Sequence, residues 1–159
     1  MSTKTPFPGF QALALMEKLV GMRTVSRDSN LDLIEWVASY LKEFDATTRI
    51  GYDAGRRKAN LLATIGDPKQ PGVLLSGHSD VVPVDGQDWD TDPFTVSYAD
   101  GKAFGRGTAD MKGFIAVALS LAPAIVGAAS PQTVHFALSY DEELGCLGTP
   151  NLIELISKS

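Results

Sequence analysis

The stretch Val73-Leu74-Leu75-Ser76-Gly77-His78-Ser79-Asp80 places an imidazole and a carboxylate directly after a short apolar run. Residues 66–72, which are rich in glycine and proline, precede the run and are typical of a loop. A short apolar run between turn signals is typical of a strand buried on both faces of a sheet. We therefore expect residues 73–76 to form such a strand, with His78 and Asp80 at its carboxyl end.

The strand pattern recurs along the chain. Three further strands are predicted, at residues 46–52, 60–65 and 133–138. The first of these is polar enough to lie near a sheet edge. Residues 95–98 and 103–104 can pair as a hairpin around the turn Asp100-Gly101.

Helical patterns alternate with these strands. Four helices are predicted, at residues 8–22, 31–44, 112–126 and 151–157. The second has apolar residues at three- and four-residue steps, and Ser29 or Asn30 could cap it. The third is almost uniformly apolar, which predicts a buried helix that Pro123 kinks near its end. The fourth has Thr149 as its predicted cap and Pro150 at its first position.

The alternation of helices and apolar strands predicts the fold class. We expect an α/β fold with a largely parallel, mixed sheet and helices on both faces. The chain of 159 residues has no internal repeat and no linker, so a single domain is expected.

Charge and composition argue against several functions. The net charge of −5 and the scattered Lys and Arg residues argue against binding to nucleic acid or to a membrane surface. The single cysteine, Cys146, cannot form an internal disulfide. No stretch reaches the ~20 apolar residues of a membrane span, and the first residues do not have the pattern of a signal peptide. We therefore expect a cytoplasmic protein.

His78 and Asp80 are the first candidate site residues. They lie at the end of a strand, where α/β sheets bind ligands, and two residues apart, so an extended backbone points both to the same side. His78 is predicted as a metal ligand and Asp80 as the carboxylate that orients its ring. The alternative is a histidine that ends a strand and bonds to a turn aspartate.

Asp110, Glu142 and Glu143 are the remaining candidates. Asp110 lies in a glycine-flanked turn before the third helix, and Glu142 and Glu143 follow the strand at 133–138, so all three are expected at the same rim. Taken singly, Asp110 could be a helix cap and the two glutamates a solvated charge pair. Adjacent carboxylates with different directions can also divide their roles, one binding metal and the other acting as general base.

Three ordered blocks of the sequence resemble the motifs of one enzyme family. They are Gly77-His78-Ser79-Asp80-Val81-Val82-Pro83, Gly105-Arg106-Gly107-Thr108-Ala109-Asp110-Met111-Lys112-Gly113 and Asp141-Glu142-Glu143-Leu144-Gly145. These blocks resemble the signatures of the dinuclear zinc M20 family of aminoacylases and peptidases. Residues 84–94 and 113–119 are most similar to the branch that deacetylates N-acetylornithine.

The resemblance implies a role for each candidate residue. His78 would bind one of two divalent metal ions, with zinc expected and cobalt possible, Asp110 would bridge both ions, and Glu143 would bind the second. Glu142 would be the general base, and Asp80 would orient His78. The peptide bond after the bridging aspartate is typically cis in this family.

The resemblance also implies an activity. The expected reaction is hydrolysis of the amide of a small N-acyl amino acid, N-acetylornithine, to ornithine and acetate in arginine biosynthesis. A succinyl-diaminopimelate desuccinylase, an aminoacylase or a dipeptidase of the same family would use the same metal residues. A further alternative is a non-catalytic fragment that binds metal or a partner chain.

The family's full chain is more than twice as long, and its later part supplies a further carboxylate and a histidine ligand. We therefore expect residues 1–159 to be the N-terminal part of the catalytic domain, without the dimerisation or lid domain and the C-terminal catalytic segment. The full-length protein is expected to be a homodimer. This part alone is expected to bind metal weakly, to hydrolyse little and to self-associate through an exposed sheet edge.

Three residues depart from the family pattern or lie outside it. Ser79 stands where threonine is common, and Ala109 stands where these deacetylases often have cysteine. Neither position supplies a ligand. His135, the other histidine, lies within a predicted strand and is expected to be structural.

Overall fold

The computed structural model describes residues 8–128 and 133–158, with side chains from residue 11 onward. The prediction of one domain over residues 1–159 therefore extends beyond the described residues. The elements, in chain order, are α1 (Pro8–Gly21), α2 (Leu31–Lys42), β1 (Thr47–Tyr52), β2 (Ala59–Ile65), β3 (Val73–His78), β4 (Ser97–Ala99), β5 (Lys102–Phe104), α3 (Lys112–Ser120), α4 (Ala122–Val126), β6 (Val134–Ser139) and α5 (Thr149–Ser157).

Four strands form one mixed sheet in the order β1-β2-β6-β3, while β4 and β5 pair as a separate hairpin. β2 is antiparallel to both β1 and β6, whereas β3 and β6 are parallel. The predicted α/β class is confirmed, but less of the described sheet is parallel than predicted. A short turn joins β1 to β2 and requires antiparallel pairing, whereas the connection from β3 to β6 passes through α3 and α4 and permits a parallel pair.

Helices cover both faces of the sheet, as predicted. The main core lies between the sheet and helices α1 to α4, and it takes alternate residues of β2 and β6, such as Leu61, Ala63 and Phe136. The residues between them, including Leu62 and Ala137, face the opposite side and pack against α5. This alternation follows from the two-residue period of a strand.

The prediction that β3 is buried on both faces is wrong at its beginning. Val73 is 58% exposed and Leu74 is 45% exposed. Among the described strands β3 pairs only with β6, so it forms an edge of the sheet, and its burial begins only at Gly77. The prediction that the strand at 46–52 lies near an edge is confirmed, since β1 forms the opposite edge.

The predicted helix at 112–126 is two helices, α3 and α4, separated at Leu121. Pro123 lies in the first turn of α4 and has no N–H to donate to the carbonyl of Leu119, four residues earlier. The hydroxyl of Tyr40 donates to that carbonyl instead, at 3.3 Å. The outer side of α3 is not buried, because Phe114 and Val117 are exposed.

Of the two capping predictions, the one for α2 holds in part and the one for α5 does not. Asn30 occupies the cap position of α2 without a side-chain capping bond, while Oγ of Ser29 accepts the N–H of Leu31 at 3.2 Å. Helix α5 begins at Thr149, and Gly148 occupies its cap position. A Cβ atom at Gly148 would lie 2.3 Å from the carbonyl oxygen of Tyr140, so the backbone passes too closely there for a side chain. Within the described residues, no helix is both long and apolar enough to cross a bilayer.

Candidate metal centre

The parallel pair β3 and β6 brings the predicted site residues to one edge of the sheet. His78 is the last residue of β3 and stands opposite Ser139, the last residue of β6. Glu142 and Glu143 lie in the turn that follows β6. The predicted convergence of these residues is therefore present, since both strands end on the same side.

The buried His78 ring lies at the centre of the cluster. Its Nε2 atom is 2.9 Å from Oδ1 of Asp110 and 3.8 Å from Oε2 of Glu142. Asp110 lies in the turn before α3, its side chain is 76% exposed, and the Asp110–Met111 peptide bond is cis, as the resemblance implied. Met111 packs against β3, where its Sδ atom accepts a hydrogen bond from the backbone N–H of His78.

The donor atoms of this cluster fit a divalent metal ion. One ligand atom each of His78, Glu142 and Glu143 lie within 4.8 Å of one another. Asp110 adds a carboxylate beside the same ring nitrogen. Imidazole and carboxylate groups are ligands for zinc, cobalt and manganese, so the chemistry of the set suits any of these ions.

Asp80 contacts His78 through two different oxygen atoms. The Nδ1 atom of His78 is 3.0 Å from the main-chain carbonyl oxygen of Asp80 and 3.6 Å from its carboxylate Oδ1. The nearer carbonyl can accept the Nδ1 proton, which leaves Nε2 facing the other carboxylates. The Asp80 carboxylate itself accepts hydrogen bonds from the hydroxyl of Ser26 and from the backbone N–H groups of Glu142 and Glu143.

Burial and the neighbouring carboxylates shift several pKa values. Burial lowers the pKa of His78, but hydrogen bonds with Asp80 and Asp110 outweigh it and raise the value to about 9. Burial raises the pKa of Glu143, and the negative charge of Asp110 adds to this effect. Burial also acts to raise the pKa of Asp80, but its hydrogen bonds outweigh that effect and the net shift is downward. The carboxylates therefore favour positive charge at His78, and a metal ion that binds the ring must displace its proton.

Lys112 is the other shifted group near the cluster. Burial lowers its pKa to about 7, although the charge of Asp80 acts in the opposite direction. Its Nζ atom donates to the main-chain oxygen of Met22 at 2.5 Å. This fully buried lysine therefore ties the beginning of α3 to the end of α1.

Sequence reasoning missed the buried polar residues that surround the site. The side chain of Asn30 donates to the main-chain oxygen of Ala59 and to Oγ of Ser79, and it accepts from the N–H of Ala59. Ser79 also donates to the carbonyl of Ser139 at 2.7 Å. Both contacts use the hydroxyl of Ser79, so serine can make the same hydrogen bonds as the threonine that is common in the family.

Ser26 and Lys58 were also missed. Ser26 lies between α1 and α2, and Lys58 precedes β2, far in the sequence from the three motif blocks. The signal that could have found Lys58 is a long charged side chain directly before a strand whose seven residues are all buried. His135, expected to be structural, contacts Thr64 through Nδ1 at 2.9 Å and does not belong to the cluster around His78.

The segment before α3 is joined to the long connection at residues 84–94. Nη2 of Arg106 donates to Oε1 of Gln87 at 2.5 Å, and the guanidinium lies 5.3 Å from the ring centre of Trp89. These contacts fix the 84–94 connection relative to the turn that bears Asp110.

An α/β domain with an imidazole and carboxylates at the carboxyl ends of its strands has the donor set of a metal-dependent hydrolase. Residues 74–159, which include all five predicted site residues, match the model of Peptidase family M20/M25/M40. The chain belongs to this family of metal-dependent hydrolases, which act on amide or peptide bonds. The resemblance inferred from the three sequence blocks is confirmed.

Curated relatives support the same assignment. The chain is 39% identical over 127 residues to an acetylornithine deacetylase of Pasteurella multocida, a match that covers 79% of this chain and 33% of the relative. It is 35% identical over 140 residues to an acetylornithine deacetylase of Shigella sonnei, covering 87% of this chain and 36% of the relative. The chain thus spans about a third of the length of these relatives.

Solved structures show the same fold. Human carnosine dipeptidase 1 has a TM-score of 0.78 and 25% identity, covering 91% of this chain and 35% of that protein. The M20 family metallo-carboxypeptidase Sso-CP2 of Sulfolobus solfataricus has a TM-score of 0.78 and 17% identity, covering 91% of this chain and 34% of that protein. The second likeness concerns the fold alone.

Proposed function

We propose that this chain is the N-terminal part of the catalytic domain of a metal-dependent amidohydrolase that acts on N-acyl amino acids, with N-acetylornithine as the substrate. The observation that supports the chemistry is the cluster of His78, Glu142 and Glu143, whose ligand atoms lie within 4.8 Å of one another. The similarity to two acetylornithine deacetylases supports the substrate.

The residues have distinct roles in this proposal. His78, Glu143 and Asp110 would hold two divalent ions, zinc or cobalt, with His78 and Glu143 serving one ion each and Asp110 serving both. When bound, the ions supply Lewis acidity that activates water and polarises the scissile carbonyl. Asp80 orients His78 through the contacts at Nδ1, which leaves Nε2 available at the edge of the sheet.

Glu142 is the proposed general base. Its side chain is 42% exposed, so its carboxylate is accessible from solvent, whereas its backbone N–H is held by Asp80. A carboxylate in this position can take a proton from the attacking water and then give it to the leaving amine nitrogen. The backbone bond to Asp80 fixes the main chain from which this carboxylate projects.

The remaining parts of the proposal concern the whole protein. Under this proposal, the remainder of the family's chain supplies the further carboxylate and histidine ligands. It also supplies a domain that dimerises and closes over the substrate. The full-length protein is a cytoplasmic homodimer that serves arginine biosynthesis. The isolated N-terminal part has little activity, because it holds only some of the ligands of a dinuclear site.

A dipeptidase is the second candidate. The specific observation in its favour is the likeness to human carnosine dipeptidase 1, at 25% identity and a TM-score of 0.78. A desuccinylase or an aminoacylase would use the same metal residues. A fragment that binds metal without catalysis differs from all of these in its lack of turnover.

The test combines metal analysis with activity on one sample. The chain is purified without chelators, its zinc and cobalt contents are measured, and hydrolysis of N-acetylornithine is compared with that of a dipeptide. A version extended with the remainder of the chain of one of the two deacetylase relatives is assayed beside it. The proposal expects turnover of N-acetylornithine by the extended version, and preferential cleavage of the dipeptide would replace it with the second candidate.

A further inference from the structure

A buried polar network lies behind the turn that bears Glu142 and Glu143. Two of its members, Ser26 and Lys58, lie outside residues 74–159, the part that matches the family model. Ser26 is buried, and the side chain of Lys58 is only 16% exposed. A lysine with so little contact with solvent requires specific partners for its charge.

The Asp80 carboxylate holds one side of the turn. Its Oδ1 atom accepts the N–H of Glu142 at 3.0 Å, and its Oδ2 atom accepts the N–H of Glu143 at 3.3 Å. Oδ2 also accepts the hydroxyl proton of Ser26 at 2.6 Å. Because Asp80 is buried, these donors are what stabilise its charge, and they fix the backbone of both glutamates relative to β3.

Lys58 holds the other side of the turn. Its Nζ atom donates to Oδ1 of Asp141 at 2.5 Å and to the main-chain oxygen of Ser26. Asp141 directly precedes Glu142, is buried and has a φ of +52°, in the left-handed region that side chains disfavour. The ion pair with Lys58 therefore holds the chain in a conformation that redirects it just before the two glutamates.

Ser26 connects the two sides. Its hydroxyl contacts Asp80, its carbonyl contacts Lys58, and its own N–H donates to the carbonyl of Val81 at 3.1 Å. The contacts form a closed ring that runs from Asp80 through Ser26 and Lys58 to Asp141, and the backbone of the turn completes it. Every link in the ring is buried or nearly so, which strengthens its hydrogen bonds.

We infer that Lys58 and Ser26 are positioning residues that fix the Glu142–Glu143 turn beside His78, so that Glu143 can bind metal and Glu142 can act as the general base. The role given to the carboxylates rests on the proposed function. The ammonium of Lys58 is bonded to Asp141 and Ser26, so its charge acts on the turn.

The first measurement is hydrogen exchange at the N–H groups of Glu142 and Glu143 in the metal-free chain, by NMR. Lys58→Met and Ser26→Ala are expected to speed exchange at these two groups about tenfold, because each removes a hydrogen bond of the ring to a charged group. Exchange at Ala137, within β6, should stay unchanged. Lys69→Met, at an exposed loop lysine, is the matched control and should match the wild type.

The double variant Lys58→Met, Asp141→Asn guards against a simple failure to fold. It removes the ion pair without leaving a buried carboxylate unpaired, so the fold is expected to survive. The turn still loses its link to Ser26, so fast exchange at Glu142 and Glu143 should persist. Exchange that returns to the wild-type rate in this variant would overturn the inference.

The second measurement is the visible absorption of Co²⁺ titrated into the same proteins. Lys58→Met and Ser26→Ala should weaken cobalt binding about tenfold relative to the wild type and the Lys69→Met control. Unchanged exchange at the two glutamates, or equal acceleration at Ala137, would overturn the positioning role. Locally faster exchange, with no cobalt uptake even in the extended version of the protein, would support that role and refute the proposed metal centre.

Discussion

Replacement of Asn30 by alanine should be one of the most destabilising changes near the site, although Asn30 occupies a helix-cap position. Its side chain accepts the N–H of Ala59 at 2.9 Å and donates to the Ala59 carbonyl and to Ser79 Oγ, both at 2.8 Å. Asn30→Ala leaves the N–H and the carbonyl of the fully buried Ala59 without this partner. Each such group costs about 1–3 kcal/mol, so we expect a total loss of about 2–6 kcal/mol.

The assay is urea unfolding followed by circular dichroism, with the free energy of unfolding extrapolated to water. Asn30→Ser is the decisive companion, because serine keeps a capping oxygen at this position but is too short to bridge Ala59 and Ser79. Asn30→Ser should therefore be nearly as damaging as Asn30→Ala, whereas Ser29→Ala, at the exposed neighbour, should cost less than about 1 kcal/mol. A loss of about 1 kcal/mol for Asn30→Ala, together with full rescue by serine, would show that Asn30 is only a helix cap.

Three other substitutions test separate parts of the account. Glu142→Gln in the extended, active protein should lower kcat about 10²- to 10⁴-fold and leave the zinc content unchanged, and equal activity would refute its role as general base. In the metal-free chain His78, with a pKa of about 9 against 6.5, binds more protons folded than unfolded, so its contribution to stability falls as pH rises from 6.5 to 9. Lys112 has a pKa of about 7 in the folded chain against 10.5, so its contribution to stability rises with pH over this range, opposite to that of His78. Lys112→Met removes this rise and should make the decline in unfolding free energy from about pH 7 to 9 steeper. A shallower decline in urea titrations would contradict this. Gly148→Ala, whose new Cβ would lie 2.3 Å from the carbonyl oxygen of Tyr140, should cost about 1–3 kcal/mol, and an unchanged Tm would show that the backbone yields there without cost.

The elements whose cause is local could be predicted from sequence. β2, β6 and the β4–β5 hairpin follow from apolar runs and turn residues, and they lie within a residue or two of the predicted bounds. The convergence of His78, Glu142 and Glu143 also followed, because the carboxyl ends of strands in an α/β sheet bind ligands.

The features that could not be predicted depend on partners distant in sequence. The apolar run Val73-Leu74-Leu75 looks the same in a central strand and in an edge strand, and the neighbouring strands decide which of the two it forms. The side chain of Asn30 bonds to residues 29 and 49 positions away rather than to its own helix. Lys58 meets Asp141 across 83 positions, so a local pattern could single out the lysine but could not name its partner.

The exposed start of β3 has a practical consequence for work with this chain in solution. An edge strand with bare backbone groups and apolar side chains, here Val73 and Leu74, can pair with the same edge of another molecule. Natural proteins often prevent such pairing with a lysine at the edge. Val73→Lys, five residues before His78, should therefore keep concentrated samples monodisperse in light scattering while leaving cobalt uptake unchanged, which would provide material suitable for crystals and for the NMR measurements above.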